Sequence, residues 1–170
     1  ALSLGQGHHT RGNLVLAERT YRDILATDAT HFPTTHLLGA LLFQVGNYEQ
    51  AKHYMELALE AEPNNVHCLT NYGGVLAQMQ KYEEALPYYD RALEQKADHM
   101  DTLNNMAYAL WSLERYEEAV ELSDRVLSLQ PNNVIGLNNK AMALVKKAQY
   151  EDALDCWQKA SELEPGASMI

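Results

Sequence analysis

Residues 103–120 read LNNMAYALWSLERYEEAV, and this stretch decides the fold. Its apolar residues occur at i, i+3, i+4 and i+7, the spacing of one stripe on an α-helix: Leu103, Met106, Ala107 and Leu110. A second helix begins near Tyr116, because Glu117 and Glu118 would then lie in a first turn, where the helix dipole favours acidic side chains. The stretch predicts two consecutive helices, and the acidic pair indicates a helix start rather than a catalytic dyad.

The same pattern recurs along the chain at intervals of 34 residues. Alanine marks one position of the period five times, at Ala17, Ala51, Ala85, Ala119 and Ala153. An aromatic residue lies three positions before four of these alanines, at Tyr48, Tyr82, Tyr116 and Tyr150. A fixed period of this size is typical of stacked helical repeats. The sequence therefore predicts five helix pairs with no β-sheet.

The second repeat resembles a known family. Leu38-Gly39, Gly46-x-Tyr48-Glu49-x-Ala51, Ala58 and Pro63 resemble the tetratricopeptide repeat (TPR), and the resemblance covers essentially all 170 residues. It implies an all-α, right-handed superhelical solenoid of five antiparallel helix pairs, which we expect to form a single domain with units at residues 1–31, 32–65, 66–99, 100–133 and 134–167. Because the chain starts at the fourth position of a unit, we expect it to have been cut from a longer protein.

The charge and the cysteines restrict the function. A net charge of −10 and a pI of about 5.1 oppose nucleic-acid binding, which depends on Lys and Arg neutralising phosphates. No apolar run is long enough to insert into a membrane. Cys68 and Cys156 lie more than two repeats apart, too far for a disulfide, which is typical of a reducing compartment. We expect a cytoplasmic protein, with a removed signal segment as the alternative.

In TPR proteins, as the resemblance implies, the first helix of each pair lines a concave groove. The sixth position of this helix is asparagine in three consecutive units, at Asn71, Asn105 and Asn139, and Asn104 and Asn138 precede two of them. A carboxamide has one acceptor and two donors, which suit the backbone of an extended peptide. We predict a ligand groove built from these asparagines and the aromatic residues Tyr108, Trp111 and Phe43. The alternatives are that asparagine is usual at this position in the family and that the aromatics pack between repeats.

No other chemistry is indicated. His31, His67 and His99 lie near the starts of three separate first helices, where we expect solvated side chains, and no His or Cys cluster has the spacing of a zinc site. The sequence contains no phosphate-binding glycine loop and no nucleophile elbow. We therefore predict no metal, no cofactor and no catalytic residue in this segment.

The sequence favours a protein–protein interaction scaffold that binds an extended peptide or partner segment in its groove. One alternative is the substrate-recruiting arm of a protein glycosyltransferase, because the asparagine array resembles that of O-linked N-acetylglucosamine transferases. Another is a self-assembling structural scaffold that stacks through uncapped ends. For such ends we expect the apolar side chains near Leu154, Leu163 and Ile170 to be partly exposed, or covered by a neighbouring chain.

Overall fold

The computed structural model describes residues 1–164. Over these residues the chain consists of ten α-helices joined by short turns, without a strand. In chain order the helices are α1 Leu2–Thr10, α2 Leu14–Thr27, α3 Phe32–Gln44, α4 Tyr48–Ala61, α5 Val66–Gln78, α6 Tyr82–Gln95, α7 Met100–Ser112, α8 Tyr116–Leu129, α9 Val134–Lys146 and α10 Tyr150–Leu163.

The helix boundaries repeat with the sequence. From α3 onward, each helix begins 34 residues before the next helix of its kind, and α4, α6, α8 and α10 all begin at the tyrosine of the motif. Asparagine caps several starts: the side chain of Asn65 accepts a hydrogen bond from the Cys68 amide, and that of Asn133 accepts one from the Gly136 amide. Such caps satisfy amides that have no partner inside the helix. The predicted all-α repeat of five helix pairs is confirmed.

The turn within each helix pair has one residue in the left-handed region. Its φ is +76° at Gly12 and +79° at Gly46, but the same position holds Gln80, Glu114 and Ala148, with φ values of 61°, 60° and 60°. Glycine adopts this conformation without the steric cost that other residues incur. Three of the five turns therefore contain local strain.

The chain divides into two compact units, residues 1–81 and 82–170, which we call the N-terminal and C-terminal units. The core of the N-terminal unit contains the fully buried Tyr21 and Leu38, with Leu41, Leu42 and Val75 beside them. In the C-terminal unit, Ala141, Leu144 and Ala153 form a buried cluster against Val120 and Trp157. Each unit is stabilised by apolar contacts between neighbouring helices.

Small residues allow these helices to approach closely. A Cβ atom added at Gly136 would lie 2.6 Å from Val126 Cγ1, and one added at Gly39 would lie 3.1 Å from Met55 Cε. The first distance is shorter than real carbon contacts, so α8 and α9 need glycine at this crossing. The second distance is to the end of the flexible Met55 side chain, which can move to make room.

Other predictions can be placed on the fold. Cys68 and Cys156 are both free, as predicted. Leu154 and Leu163 are 65% and 38% exposed, as predicted, whereas Ile170 lies outside the described residues. Within residues 1–164, no helix combines the length and the apolar character that crossing a membrane requires.

Candidate functional site

An aromatic cluster lies on the C-terminal unit. The rings of Tyr108 and Trp111, both on α7, stack with centroids 5.9 Å apart and an interplanar angle of 24°. Tyr82, the first residue of α6, meets Tyr108 edge-on at 6.4 Å. Tyr108 is 39% exposed, while Trp111 and Tyr82 are half-buried. The two half-buried rings thus support one solvent-facing ring.

Asn105 lies one helical turn before Tyr108 on α7 and is exposed. Its carboxamide makes no hydrogen bond to any part of the chain that the structure describes. Both donors and the acceptor are therefore available to a ligand. We call Tyr82, Asn105, Tyr108 and Trp111 the aromatic surface.

The adjacent helix α9 extends this region. Ile135 is 59% exposed, and Asn138, one turn further along, is half-buried. Residues three apart share a face of a helix, and α9 packs against α7. Asn138, like Asn105, makes no hydrogen bond within residues 1–164. An apolar side chain and a second available carboxamide thus lie on the helix beside the aromatic surface.

Two of the predicted groove asparagines are buried instead. Asn139 is 7% exposed, and its Nδ2 donates a hydrogen bond to the backbone carbonyl of Asn104 at 3.0 Å. Asn104 is 5% exposed, and its Nδ2 donates to Asn133 Oδ1 at 3.4 Å. This differs from the predicted ligand-facing role, because α9 approaches α7 closely enough for the short amide to bridge the helices. The two residues position α7 against α9.

Asn71 in the N-terminal unit makes a related contact. Its Nδ2 donates to His36 Nε2 at 3.0 Å, and His36 stacks on Phe32 with centroids 5.9 Å apart. Burial lowers the pKa of His36, and the nearby His67 lowers it further, while Glu62 acts in the opposite direction. The imidazole is therefore kept neutral, as an acceptor at Nε2 must be.

Phe43 is half-buried in the core of the N-terminal unit. Its Cζ lies 3.6 Å from the place where Gly74 would carry a Cβ, and its ring lies 5.9 Å from that of Tyr48. The glycine leaves room for the phenyl ring against α5. Phe43 thus contributes to packing between helices, one of the alternatives considered from the sequence.

The predicted site residues therefore separate into two groups. The C-terminal unit contains six of them, of which Asn105, Tyr108 and Trp111 belong to the aromatic surface, while Asn71 and Phe43 belong to the N-terminal unit. Sequence reasoning missed Tyr82 and Ile135. Tyr82 was visible only as a repeat-motif tyrosine, and Ile135 is an isoleucine at a position that the resemblance assigns to the groove.

The histidines at the helix starts have structural partners. His99 precedes α7, and its Nδ1 hydrogen-bonds to Thr102 Oγ1 at 2.8 Å; His31 and Thr34 repeat this contact at 2.7 Å before α3. The prediction of a solvated side chain is wrong for His99, which is 7% exposed and is held by the hydrogen bond to Thr102 in the first turn of α7. Among residues 1–164, no three His, Cys, Asp or Glu side chains are grouped so as to hold a metal ion.

Comparisons with known proteins identify the repeat. A family model described as tetratricopeptide repeat matches residues 32–94 and 65–132, which is more than half of the chain. This model indicates no catalytic family. No curated protein matches the chain.

Solved structures have the same fold. The MamA AMB-1 structure is 26% identical and superposes with a TM-score of 0.84, covering 98% of each chain. MamA of Desulfovibrio magneticus RS-1 is 20% identical with a TM-score of 0.86, covering 98% of this chain and 94% of that one. YrrB, described as a TPR protein with an unusual peptide-binding site, is 22% identical with a TM-score of 0.79, covering 98% of this chain and 86% of the other.

Proposed function

We propose, from the premise that the chain belongs to the tetratricopeptide repeat family, that this protein-interaction scaffold binds an extended segment of a partner protein on its aromatic surface. The observation that carries the proposal is the exposed ring of Tyr108, supported by Trp111 and Tyr82 and one turn away from the available carboxamide of Asn105. Exposed aromatics beside polar groups are typical anchors of protein interfaces.

The aromatic ring and the carboxamides of this surface have different roles in binding. The Tyr108 ring offers apolar area to a side chain of the bound segment, and because Trp111 holds the ring in place, little conformational entropy is lost on binding. The carboxamides of Asn105 and Asn138 each offer donors and an acceptor to peptide N–H and C=O groups. Asn139 supports the surface indirectly, since its hydrogen bond to Asn104 fixes α9 against α7.

The similarity to YrrB agrees with this assignment, because that protein is described by its peptide-binding site. At 22% identity the comparison carries the fold and not the binding residues. The specific groove residues are therefore proposed from the contacts within the C-terminal unit.

Peptides selected from a random library against the full chain provide the test. Tyr108→Ala should weaken binding of a selected peptide by roughly 30-fold or more, the loss expected at a central aromatic anchor, and Asn105→Ala by roughly 2- to 10-fold. Tyr150→Ala is the matched control, since Tyr150 is a 64% exposed tyrosine on α10. Isothermal titration gives the dissociation constants.

Two outcomes would contradict or change the proposal. If every selected peptide binds the Tyr108→Ala variant as tightly as the unchanged protein, the aromatic surface is not the binding site. If the selected peptides match segments of this chain, and the protein gains mass with concentration, the partner is a second copy and the scaffold is self-assembling.

A further inference from the structure

A second surface lies on the C-terminal unit, formed by α8, α9 and α10. It is a cleft of about 510 Å³. Val120, Leu144 and Cys156 contribute its apolar lining, and Asp124, Asp152 and Asp155 contribute carboxylates. We call this surface the α8–α10 cleft.

The α8–α10 cleft shares no residue with the aromatic surface. On α9, Leu144 lines the cleft, whereas Ile135 and Asn138 belong to the face near α7. At 3.6 residues per turn, Leu144 lies opposite Ile135 and about a third of a turn around the helix from Asn138. A partner on the cleft would therefore contact the other side of α9.

The two lysines that line the cleft already have partners. Lys140 Nζ lies 2.6 Å from Asp124 Oδ1, and Lys147 Nζ lies 3.4 Å from Glu117 Oε1. The hydrogen bond to Asp124 raises the pKa of Lys140, so this ammonium stays charged and paired. Asp152 and Asp155 make no ion pair with any residue in the described part of the chain, although the charge of Asp152 also helps to raise the pKa of Lys140. The unpaired charge in the cleft is therefore negative.

The second helices of the C-terminal unit also have a net negative charge. Each of the helices α6, α8 and α10 has four acidic residues and one basic residue. By contrast, α7 has one acidic residue, and α9 has two lysines and no acid. Positively charged segments are therefore attracted to α8 and α10, which line the cleft.

The shape of the carboxylate pair favours one cation. Asp152 and Asp155 are three residues apart on α10 and so share a face. A guanidinium presents several N–H donors in one plane and can bridge two carboxylates, whereas an ammonium acts as a point charge. Its aliphatic stem would lie along Val120 and Leu144. We propose that the α8–α10 cleft binds an arginine side chain from a basic segment of a partner protein.

Cys156 provides a reporter inside the cleft. It is half-buried there, while Cys68 is fully buried in the N-terminal unit, so a thiol reagent reaches Cys156 first. The probe is a short, terminally blocked peptide with one arginine among lysines and serines; its matched forms have citrulline or lysine in place of the arginine. The arginine peptide should slow alkylation of Cys156 by N-ethylmaleimide, and the citrulline peptide should not.

Charge variants distinguish binding in the cleft from general electrostatic attraction of the peptide to an acidic protein. Asp152→Asn with Asp155→Asn should weaken binding of the arginine peptide about 10-fold or more, because the only carboxylate left in the cleft lining, Asp124, is paired with Lys140. Glu83→Gln with Glu94→Gln removes the same amount of charge from α6 and should weaken binding of the arginine peptide less than about 2-fold. Tyr108→Ala, which tests the aromatic surface, should leave the protection of Cys156 unchanged.

Three outcomes would overturn the proposal. The first is unchanged alkylation of Cys156 at a peptide concentration that saturates binding, and the second is an equal loss of peptide affinity in the cleft variant and the α6 variant. The third is equal protection of Cys156 by the lysine peptide. The first two would mean that the peptide binds elsewhere or through net charge alone. The third would exclude specific recognition of the guanidinium. Circular dichroism of each variant confirms that the helices are retained.

Discussion

The same repeat position is used differently in the two units. Phe43 of α3 packs against Gly74 and Tyr48 in the N-terminal unit, whereas its counterpart Trp111 of α7 supports the exposed ring of Tyr108. Gly74 occupies on α5 the position that Tyr108 occupies on α7. A glycine there accommodates the ring of the preceding repeat, and a tyrosine extends a ring into solvent. The side chain at this one position of the repeat thus decides whether the surface is filled by internal packing or is available to a partner.

The asparagine column shows the complementary result. Asn71 and Asn139 both reach back 35 residues, the first to the side chain of His36 and the second to the backbone of Asn104. The position therefore links neighbouring first helices in both units. Asn105 alone of the three is exposed.

The largest expected effect tests whether the units unfold separately. Tyr21 is fully buried in the N-terminal unit, so Tyr21→Ala should cost about 3–5 kcal/mol of stability there. Because repeats are coupled mainly to their neighbours, amide exchange should accelerate within residues 1–81 and change little within residues 100–164. Tyr150→Ala, an exposed tyrosine, is the control. Equal acceleration along the whole chain would mean that both units unfold together.

The next comparison concerns the two close helix crossings. Gly136→Ala should destabilise the protein by about 1–3 kcal/mol, because the new Cβ would overlap the branched side chain of Val126. Gly39→Ala should be within about 1 kcal/mol of neutral, since Met55 can move and alanine favours the helix. Urea denaturation measures both changes. Equal losses would show that the methionine is held as rigidly as the valine.

The sequence predicted the fold because each helix is specified locally. The apolar stripe, the motif tyrosine and the acidic first turn lie within a few residues of one another, and their period predicts the pairing of helices. The burial of Asn139 could not be predicted, because it depends on how closely α9 approaches α7, and the whole of α8 separates these two helices in the sequence. The burial of His99 likewise depends on the conformation of its side chain, whose Nδ1 is hydrogen-bonded to Thr102. The role of Tyr82 as an aromatic partner was hidden by its motif role.

A third comparison concerns one hydroxyl group in each unit. Tyr89 is fully buried in the C-terminal unit, and its hydroxyl has no hydrogen-bond partner within residues 1–164. Tyr89→Phe should therefore stabilise the protein by about 1 kcal/mol, since an unsatisfied buried hydroxyl is costly. Tyr21→Phe should cost up to about 1 kcal/mol, because the Tyr21 hydroxyl contacts His9 Nδ1 at 3.5 Å. Thermal unfolding should shift in opposite directions, and a loss of stability in both variants would indicate that Tyr89 has a polar partner.

The strained turns predict a smaller pair of effects. Glu114→Gly should stabilise the protein by about 0.5–1 kcal/mol, because the relief of strain at φ 60° exceeds the entropy cost of glycine. Gly46→Ala introduces the same strain at φ +79° and should destabilise by about 1 kcal/mol. Chemical denaturation of both variants measures the sign. A destabilised Glu114→Gly protein would mean that the glutamate makes a compensating contact.

The smallest effect is a pH dependence in the N-terminal unit. Burial lowers the pKa of His36 below its ordinary value of about 6.5, with a further decrease from His67 and an opposing increase from Glu62. Below pH 6.5 the unfolded chain therefore takes up a proton at this residue more readily than the folded chain does. The stabilisation is complete above that pH and is lost as the pH falls through the lower pKa of the folded state.

Nuclear magnetic resonance measures this titration at one residue, apart from the other histidines. The ring resonances of His36 should titrate below pH 6.5, and the side-chain amide resonances of Asn71 should shift with them, because a protonated Nε2 no longer accepts the Asn71 hydrogen bond. His36→Gln keeps an acceptor oxygen for Asn71 and removes the titration, so it should flatten the contribution of this site to stability between pH 6.5 and 5. A His36 that titrates at or above pH 6.5 would show that water reaches the ring and that the contact with Asn71 is not maintained in solution.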